Sequence, residues 1–120
     1  MAGSSAQLHE DSLGPGTVNY HRAIVSLMEE LEAVDWYNQR VEATNDDSLA
    51  AVLAHNRDEE KEHAVMTLEW LRRHDPVLDR HLRTYLFTDG SIVAEEHAAE
   101  EGGGAGEGSL GLGSTREETE

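Results

Sequence analysis

Two long amphipathic segments joined by one short turn constrain the fold of this chain more than any other feature. Apolar residues recur at spacings of three and four across residues 18–43 and again across residues 48–74, which is the pattern of one face of an α-helix. Between them, residues 44–47 (Thr-Asn-Asp-Asp) are of the types that favour turns and helix N-caps. The sequence therefore predicts an all-α fold built on an antiparallel two-helix hairpin.

A short third helix and two polar ends complete the predicted organisation. Pro76 ends the second helix, because the residue before a proline is disfavoured in the helical region. Apolar residues at helical spacing then predict a third helix over residues 77–87, which Gly90 closes. We expect a disordered segment at residues 1–16, a helical domain at residues 17–90 and a flexible tail at residues 91–120. Within the tail, the glycine-rich residues 102–108 predict a linker.

The composition excludes several classes of protein. The chain has no Cys, so disulfides, thiolate metal sites and thiol catalysis are excluded together. Its 25 acidic residues against 9 basic ones give a formal net charge of −16, which disfavours nucleic acid and anionic membrane surfaces as partners and favours cations. The alternative is that the charge only keeps the protein soluble. No apolar run is long enough to span a bilayer, and residues 1–14 lack the pattern of a signal peptide. We expect a cytoplasmic protein.

Each long helix carries one glutamate within an otherwise apolar stripe. Glu30 lies on the first helix, and Glu60 lies on the second, with His63 one turn further along the same face. Counted from Asn45 in the turn, both glutamates are 15 residues away, which is roughly 22 Å along each helix. We therefore expect them at the same height of the hairpin. A carboxylate buried there is costly unless a cation compensates its charge.

These three residues amount to half of a known type of metal site. Carboxylate-bridged di-iron bundles take a Glu from each of two helices and a Glu-x-x-His from each of the other two. One chain supplies one of each and two chains supply the full set, so the site is expected only in a dimer. A hairpin of about 70 ordered residues is also marginal by itself, which favours self-association. The alternative is a solvated, Glu-rich face with an incidental Glu-x-x-His.

Other residues near these positions are further candidates. Tyr37, two turns after Glu30, either hydrogen-bonds a ligand or packs in the core. On the first helix, one set is suited to concentrating metal ions: Glu29, Glu32 and Trp36. On the second helix, one set is suited to binding a metal at the surface: His55, Glu59 and Glu62. Both sets also fit a solvated charged face.

Three stretches of the sequence resemble the encapsulated ferritins. They are residues 28–37 (MEELEAVDWY), residues 54–63 (AHNRDEEKEH) and residues 81–87 (HLRTYLF). The likeness implies a two-helix protomer whose homodimer rebuilds the ferritin-like four-helix bundle. It further implies a ring of dimers, suggested to be a decamer, inside an encapsulin nanocompartment.

The resemblance also implies a role for each candidate residue. Glu30, Glu60 and His63 from two chains would be the ligands of a di-iron ferroxidase centre with Tyr37 close by, and Fe²⁺ and O₂ would be the substrates. Other divalent cations, such as calcium, manganese or zinc, would bind at secondary sites. The set Glu29, Glu32 and Trp36 would match an inner metal site of the family, and the set His55, Glu59 and Glu62 would match its outer site.

Residues 108–116 resemble an encapsulin-targeting segment. Leu110 and Leu112 would fill small apolar pockets on a shell wall, while the neighbouring glycines allow close approach of the backbone. Two departures would weaken this docking without abolishing it: Thr115 stands where a second leucine is common, and an acidic extension follows Arg116. The alternative is a glycine-rich tail without a partner.

The sequence thus leaves three functions open. The first is a ferroxidase that oxidises Fe²⁺ with dioxygen and feeds iron storage inside an encapsulin shell. The second is a non-catalytic module in which metal only bridges the assembly. The third is an adaptor that recruits other cargo to the shell without metal.

Overall fold

The computed structural model describes residues 6–107, with side chains described for residues 6–101. This part of the chain is all-α, with four helices and no strand, which confirms the predicted fold class. The helices are α1 (Pro15–Ala43), α2 (Asp47–Arg73), α3 (Pro76–Tyr85) and α4 (Ile92–Glu107). Over the same described residues, no helix has the length and apolar character that crossing a membrane requires.

The two long helices α1 and α2 form the predicted hairpin, and the turn between them follows the sequence signal. The side chain of Asp46 accepts a hydrogen bond from the Leu49 N–H (3.0 Å), which makes Asp46 the N-cap of α2. The Thr44 hydroxyl accepts another from the Asp46 N–H (3.1 Å). Further along, Arg57 of α2 donates to the side-chain oxygen of Asn38 of α1 (3.0 Å), so a polar contact joins the two helices.

The first helix begins three residues earlier than the periodicity predicts. Pro15 occupies the first helical turn, where its missing N–H and fixed φ are no disadvantage. Residues 6–14 fall in the segment expected to be disordered, and they are not helical. Near their beginning, the Ala6 carbonyl oxygen lies 2.7 Å from the ring nitrogen Nε2 of His21 in α1. The segment therefore turns back toward α1, and Ser12 within it has a positive φ of 60°.

About half of the large apolar residues of the hairpin are exposed in the single chain. No residue of α1 is buried, and in α2 only Ala64 and Leu71 are. The exposed side chains come from both helices and are Ile24, Met28, Leu31, Trp36, Leu49, Val52, Val65, Met66 and Trp70. The apolar stripes that predict the helices therefore do not form a closed core within one chain.

The chain divides into two compact units, Met1–Leu71 and Arg72–Glu120. The helical domain expected over residues 17–90 stays a prediction. In the second unit, α3 has a complete N-terminal cap. The side chain of Asp75 accepts hydrogen bonds from the N–H groups of Val77 (3.1 Å) and Leu78 (3.0 Å), and Pro76 occupies the first helical turn. These groups explain why a new helix begins directly after the proline that ends α2.

Asp79 of α3 is held by two arginines. It accepts hydrogen bonds from Arg72 and from Nε of Arg83, whose distances to the two carboxylate oxygens are 3.0 and 3.1 Å. Burial of the side chain opposes its ionisation, but the hydrogen bonds from the two guanidinium groups outweigh burial. They hold the pKa of Asp79 below its ordinary value of 3.8.

The segment between α3 and α4 departs from the prediction in two ways. First, α3 ends at Tyr85, two residues early, because Leu86 is extended and Phe87 has a positive φ of 64°. Second, α4 begins after Ser91, whose hydroxyl accepts the N–H of Ala94 (3.2 Å), and it continues to Glu107. A helix therefore replaces the linker expected over residues 102–107. Glycine lowers helix propensity by about 1 kcal/mol but does not block the helical conformation.

Helices α3 and α4 contact each other. Burial raises the pKa of Tyr85 above its ordinary value of 10.0, and the negative charges of Glu96 and Glu100 in α4 add to this effect. The acidic side of α4 therefore lies near the end of α3 within this unit.

Candidate metal centre

Glu30 lies in the middle of α1 with one carboxylate oxygen unsatisfied. The residue is half-buried, and its Oε1 is removed from solvent without a hydrogen-bond partner in the described part of the chain. Its Oε2 is 3.4 Å from Oγ1 of Thr67 in α2, which is long for a hydrogen bond between oxygens. A buried oxygen without a partner is costly, so the position favours a cation that would supply one.

The contact of Glu30 across the hairpin is made to Thr67, which lies seven residues beyond Glu60. Side chains lean toward the N-terminus of their own helix, so the side chains that meet in an antiparallel pair come from Cα atoms at different heights. The contact is therefore compatible with glutamates at similar heights, and the equal height of Glu30 and Glu60 stays a prediction.

Glu60 and His63 lie side by side on α2. His63 Nδ1 is 3.6 Å from Glu60 Oε1, and the side chains are 48% and 27% exposed, respectively. The neighbouring cations Arg57 and Lys61 pair instead with Asp58, at 3.0 and 3.3 Å. The hydrogen bond from Arg57, followed in size of effect by that from Lys61, holds the pKa of Asp58 below its ordinary value of 3.8. Glu60 and His63 are therefore neighbours on α2, and the ion pairs of Arg57 and Lys61 are made to a different carboxylate, that of Asp58.

The donor types at these positions fit a metal, although one chain does not assemble a site. Across the described residues, no three His, Asp or Glu side chains form a group that could hold a metal ion. The donors on α1 and α2 are carboxylate oxygens and an imidazole nitrogen, which suit iron, manganese and zinc. The unsatisfied Oε1 of Glu30 is the position at which such a cation would supply the missing partner.

Arg40 lies over two aromatic rings of α1. Its guanidinium carbon is 5.9 Å from the ring centroid of Trp36 and 5.6 Å from that of Tyr37, within the range of cation–π contacts. Trp36 is exposed and Tyr37 is half-buried, while Glu29 is exposed and Glu32 is half-buried. The roles expected for these four residues at a metal stay predictions.

The residues of the expected outer site lie on an exposed face of α2. His55 Nε2 is 3.9 Å from Glu59 Oε2, and the two side chains are 72% and 50% exposed. Glu62 is exposed as well. This arrangement is also typical of a solvated charged face, and the outer metal site stays a prediction.

The sequence assigns no function to Thr67 or Arg40, although the helical spacing of each indicates which side chains lie beside it. Thr67 follows His63 by four residues and therefore shares its helix face. Arg40 follows Trp36 by four residues and Tyr37 by three, at which distances helical side chains meet. The expected encapsulin-targeting segment, residues 108–116, lies outside the described residues.

Comparisons with known proteins find relatives that match most of the chain. A family model described as EncFtn-like matches residues 5–89. A protein of Rhodospirillum rubrum named encapsulated ferritin-like protein is 60% identical over 131 aligned residues, which cover 98% of this chain and 94% of that protein. A protein of Myxococcus xanthus named encapsulin nanocompartment cargo protein EncC is 37% identical over 45% of this chain and 42% of its own length.

A solved structure has a similar fold. The crystal structure of protein ne0167 from Nitrosomonas europaea matches with a TM-score of 0.70 and 59% sequence identity. The match covers 72% of this chain and 96% of that one.

Proposed function

Because this chain belongs to the encapsulated ferritin-like family, we propose that it is a ferroxidase that oxidises Fe²⁺ with dioxygen at a di-iron centre shared by two chains. The observation that carries the proposal is the unsatisfied Oε1 of Glu30. A half-buried carboxylate with an oxygen that lacks a partner is a defect in a protein whose only task is to fold. It is useful in a protein that binds a cation there.

Two chains would complete the ligand set. Together they carry two copies each of Glu30, Glu60 and His63, which matches the requirement of a carboxylate-bridged di-iron bundle. The four carboxylates balance the charge of two Fe²⁺ ions, whereas without metal they would repel each other. Binding of iron and association of chains are therefore coupled, because each ligand set is complete only in the dimer.

The protein's own residues would have distinct tasks in the reaction. Two Fe²⁺ ions, as substrates, would give one electron each to dioxygen, which with two protons would become hydrogen peroxide. The negative charge of the carboxylates would favour the more highly charged Fe³⁺ that results. His63 supplies a nitrogen donor, which requires an unprotonated ring nitrogen. Tyr37 would lie near the ions, and Glu29 and Glu32, with Trp36 beside them, would attract Fe²⁺ on the inner side of the assembly. Residues His55, Glu59 and Glu62 would form the weaker outer site.

The exposed apolar residues of the hairpin support an assembled protein. Side chains such as Leu31 (54% exposed) and Met66 (60% exposed) lie on helices that do not close a core in one chain. A second copy would cover them and create the four-helix bundle, and a ring of such dimers would be the cargo of an encapsulin shell. The name of the Myxococcus xanthus relative, a nanocompartment cargo protein, supports this location. Residues 108–116 would provide the contact with the shell.

The test is a titration of metal-free protein with Fe²⁺ in the absence of oxygen, followed by air. We expect the mass distribution to shift to dimers and larger rings as iron is added. On admission of air, the ultraviolet absorbance of Fe³⁺ should rise much faster than in buffer. Glu60→Ala should lose both responses, because it removes one carboxylate per chain from the centre.

Glu42→Ala is the matched control, since it removes the same charge from an exposed position of α1 outside every candidate set. It should behave like the wild type. Assembly without faster oxidation would show that the metal only bridges the chains. No response to iron in either measurement would overturn the proposal and favour an adaptor that needs no metal.

A further inference from the structure

The hydroxyl group of Thr67 lies between two groups of the proposed centre. Its Oγ1 is 3.1 Å from the backbone carbonyl oxygen of His63 and 3.4 Å from Oε2 of Glu30. A threonine hydroxyl has one proton, so it donates to one of these acceptors at a time. Thr67 is thus a polar side chain of α2 that approaches the carboxylate on α1 and also the backbone of the α2 turn that carries His63.

We propose that Thr67 is a positioning residue for Glu30, an inference that rests on the proposed metal centre. The hydroxyl donates to Oε2 when the centre is loaded and thereby holds the carboxylate in one rotation. Oε1, which has no partner, is then the oxygen directed to the cation. Residues of this kind, which hydrogen-bond a metal ligand without touching the metal, fix the orientation of the ligand and affect metal affinity.

The two distances differ, and the shorter one is to the backbone of Thr67's own helix. The His63 carbonyl is the nearer acceptor, and 3.4 Å is longer than hydroxyl hydrogen bonds usually are. Hydrogen bonds at functional sites often become short only in the loaded state. The proton of Thr67 therefore has the His63 carbonyl as its nearer acceptor and Oε2 of Glu30 as a second one, which a bound cation would bring into place.

Thr84 shows what the same residue type does when its hydroxyl has no carboxylate as a hydrogen-bond partner in the described part of the chain. Its hydroxyl also donates to the carbonyl oxygen four residues earlier, that of Arg80, at 3.0 Å. This back-bond is a common use of threonine in helices and has no functional meaning by itself. The approach to Glu30 is what distinguishes Thr67, and Thr84 is therefore a matched control.

The experiment compares the full chain with Thr67→Val, Thr67→Ser and Thr84→Val. Co²⁺ without oxygen is the probe, because its visible absorption reports both the amount bound and the ligand geometry. The thermal midpoint of each metal-free variant serves as the measure of folding. We expect Thr67→Val to weaken Co²⁺ binding about tenfold and to change the spectrum, with Thr67→Ser within about twofold of the wild type. Thr84→Val should leave both affinity and spectrum unchanged.

The possible results separate this inference from the proposed function. Wild-type affinity and spectrum in Thr67→Val would overturn the role of Thr67 and leave the metal centre intact, provided that Glu30→Gln abolishes binding. Equal losses in Thr67→Val and Thr67→Ser would also overturn it, because the hydroxyl would then not be the group that matters. If the wild type binds Co²⁺ no better than Glu30→Gln, the shared centre and the role of Thr67 fail together.

Discussion

Asp79 and Glu30 are both partly buried carboxylates, but their surroundings differ. Asp79 accepts hydrogen bonds from two arginines, which compensate its charge within one chain. Glu30 has a single long contact to a hydroxyl and an oxygen without a partner. The first arrangement is complete without further partners and stabilises the fold. The second is incomplete, and this difference, rather than the number of acidic residues, separates a candidate ligand from a structural ion pair.

Replacing Asp79 by Asn should lower the free energy of unfolding by about 1 kcal/mol at neutral pH, since the hydrogen bonds from charged donors are weakened. The pKa of Asp79 is lowered in the folded state, so its stabilising effect is present above the ordinary value of 3.8 and is lost as the pH falls through the folded-state pKa. Chemical denaturation at pH 7 and at pH 3 should therefore show a smaller difference between wild type and variant in acid.

Asp58→Asn is the control for that comparison. Asp58 also pairs with two cations and has a lowered pKa, but it lies on the exposed surface of α2. Its replacement should have no measurable effect on stability, because exposed ion pairs contribute little. An equal loss in both variants would mean that net charge, and not the pairing of Asp79, is responsible.

The helices themselves follow local signals closely, and the departures have identifiable causes. The predicted bounds of α2, residues 48–74, differ by one residue at each end from Asp47–Arg73, because the caps and Pro76 are visible in the sequence. The early start of α1 reflects Pro15 in its first turn. The apolar periodicity begins only at Val18, so it does not show that the proline already belongs to the helix. The early end of α3 depends on the positive φ of Phe87, which is rare for a bulky residue and has no sequence signal.

The N-terminal cap of α3 provides a test at the level of one element. Asp75→Ala should cost about 1 kcal/mol of stability, because the N–H groups of Val77 and Leu78 lose their acceptor. Amide hydrogen exchange should accelerate first at these two residues. Asp75→Asn keeps an acceptor oxygen and should exchange like the wild type. Slow exchange in Asp75→Ala would show that the cap does not hold the start of the helix.

For the molecule as a whole, periodicity predicts which residues form an apolar stripe but not what covers it. Ile24, Met28 and Leu31 occur at helical spacing, yet each is more than a third exposed in the single chain. Likewise, the sequence predicts that Glu30 and Glu60 belong to one site, but the contact of Glu30 with Thr67 depends on how two helices face each other. Such contacts between elements are not encoded in the period of either helix.

Leu31→Lys tests whether the exposed stripe is an interface. In an isolated chain the change should have little effect on folding, since the side chain is already 54% exposed. In an assembled protein it buries a charge and should shift the mass distribution measured by sedimentation toward monomers. Val93→Lys on α4, 65% exposed, is a control outside the hairpin and should leave the mass distribution unchanged. Equal behaviour of both variants would contradict an interface at this stripe.

The position of Trp36 beneath Arg40 gives the chain an intrinsic optical reporter. The indole is about half exposed, lies against a guanidinium group and follows Glu32 by four residues. A paramagnetic ion held by Glu32 would quench the emission of this indole, whereas an ion held only at Glu30 and Glu60 would act on it from further along the helix. The Trp36→Phe variant, in which Trp70 is the remaining tryptophan, provides the signal to subtract. The emission of Trp36 obtained in this way would show whether an ion binds first near Glu32 or first near Glu30 and Glu60.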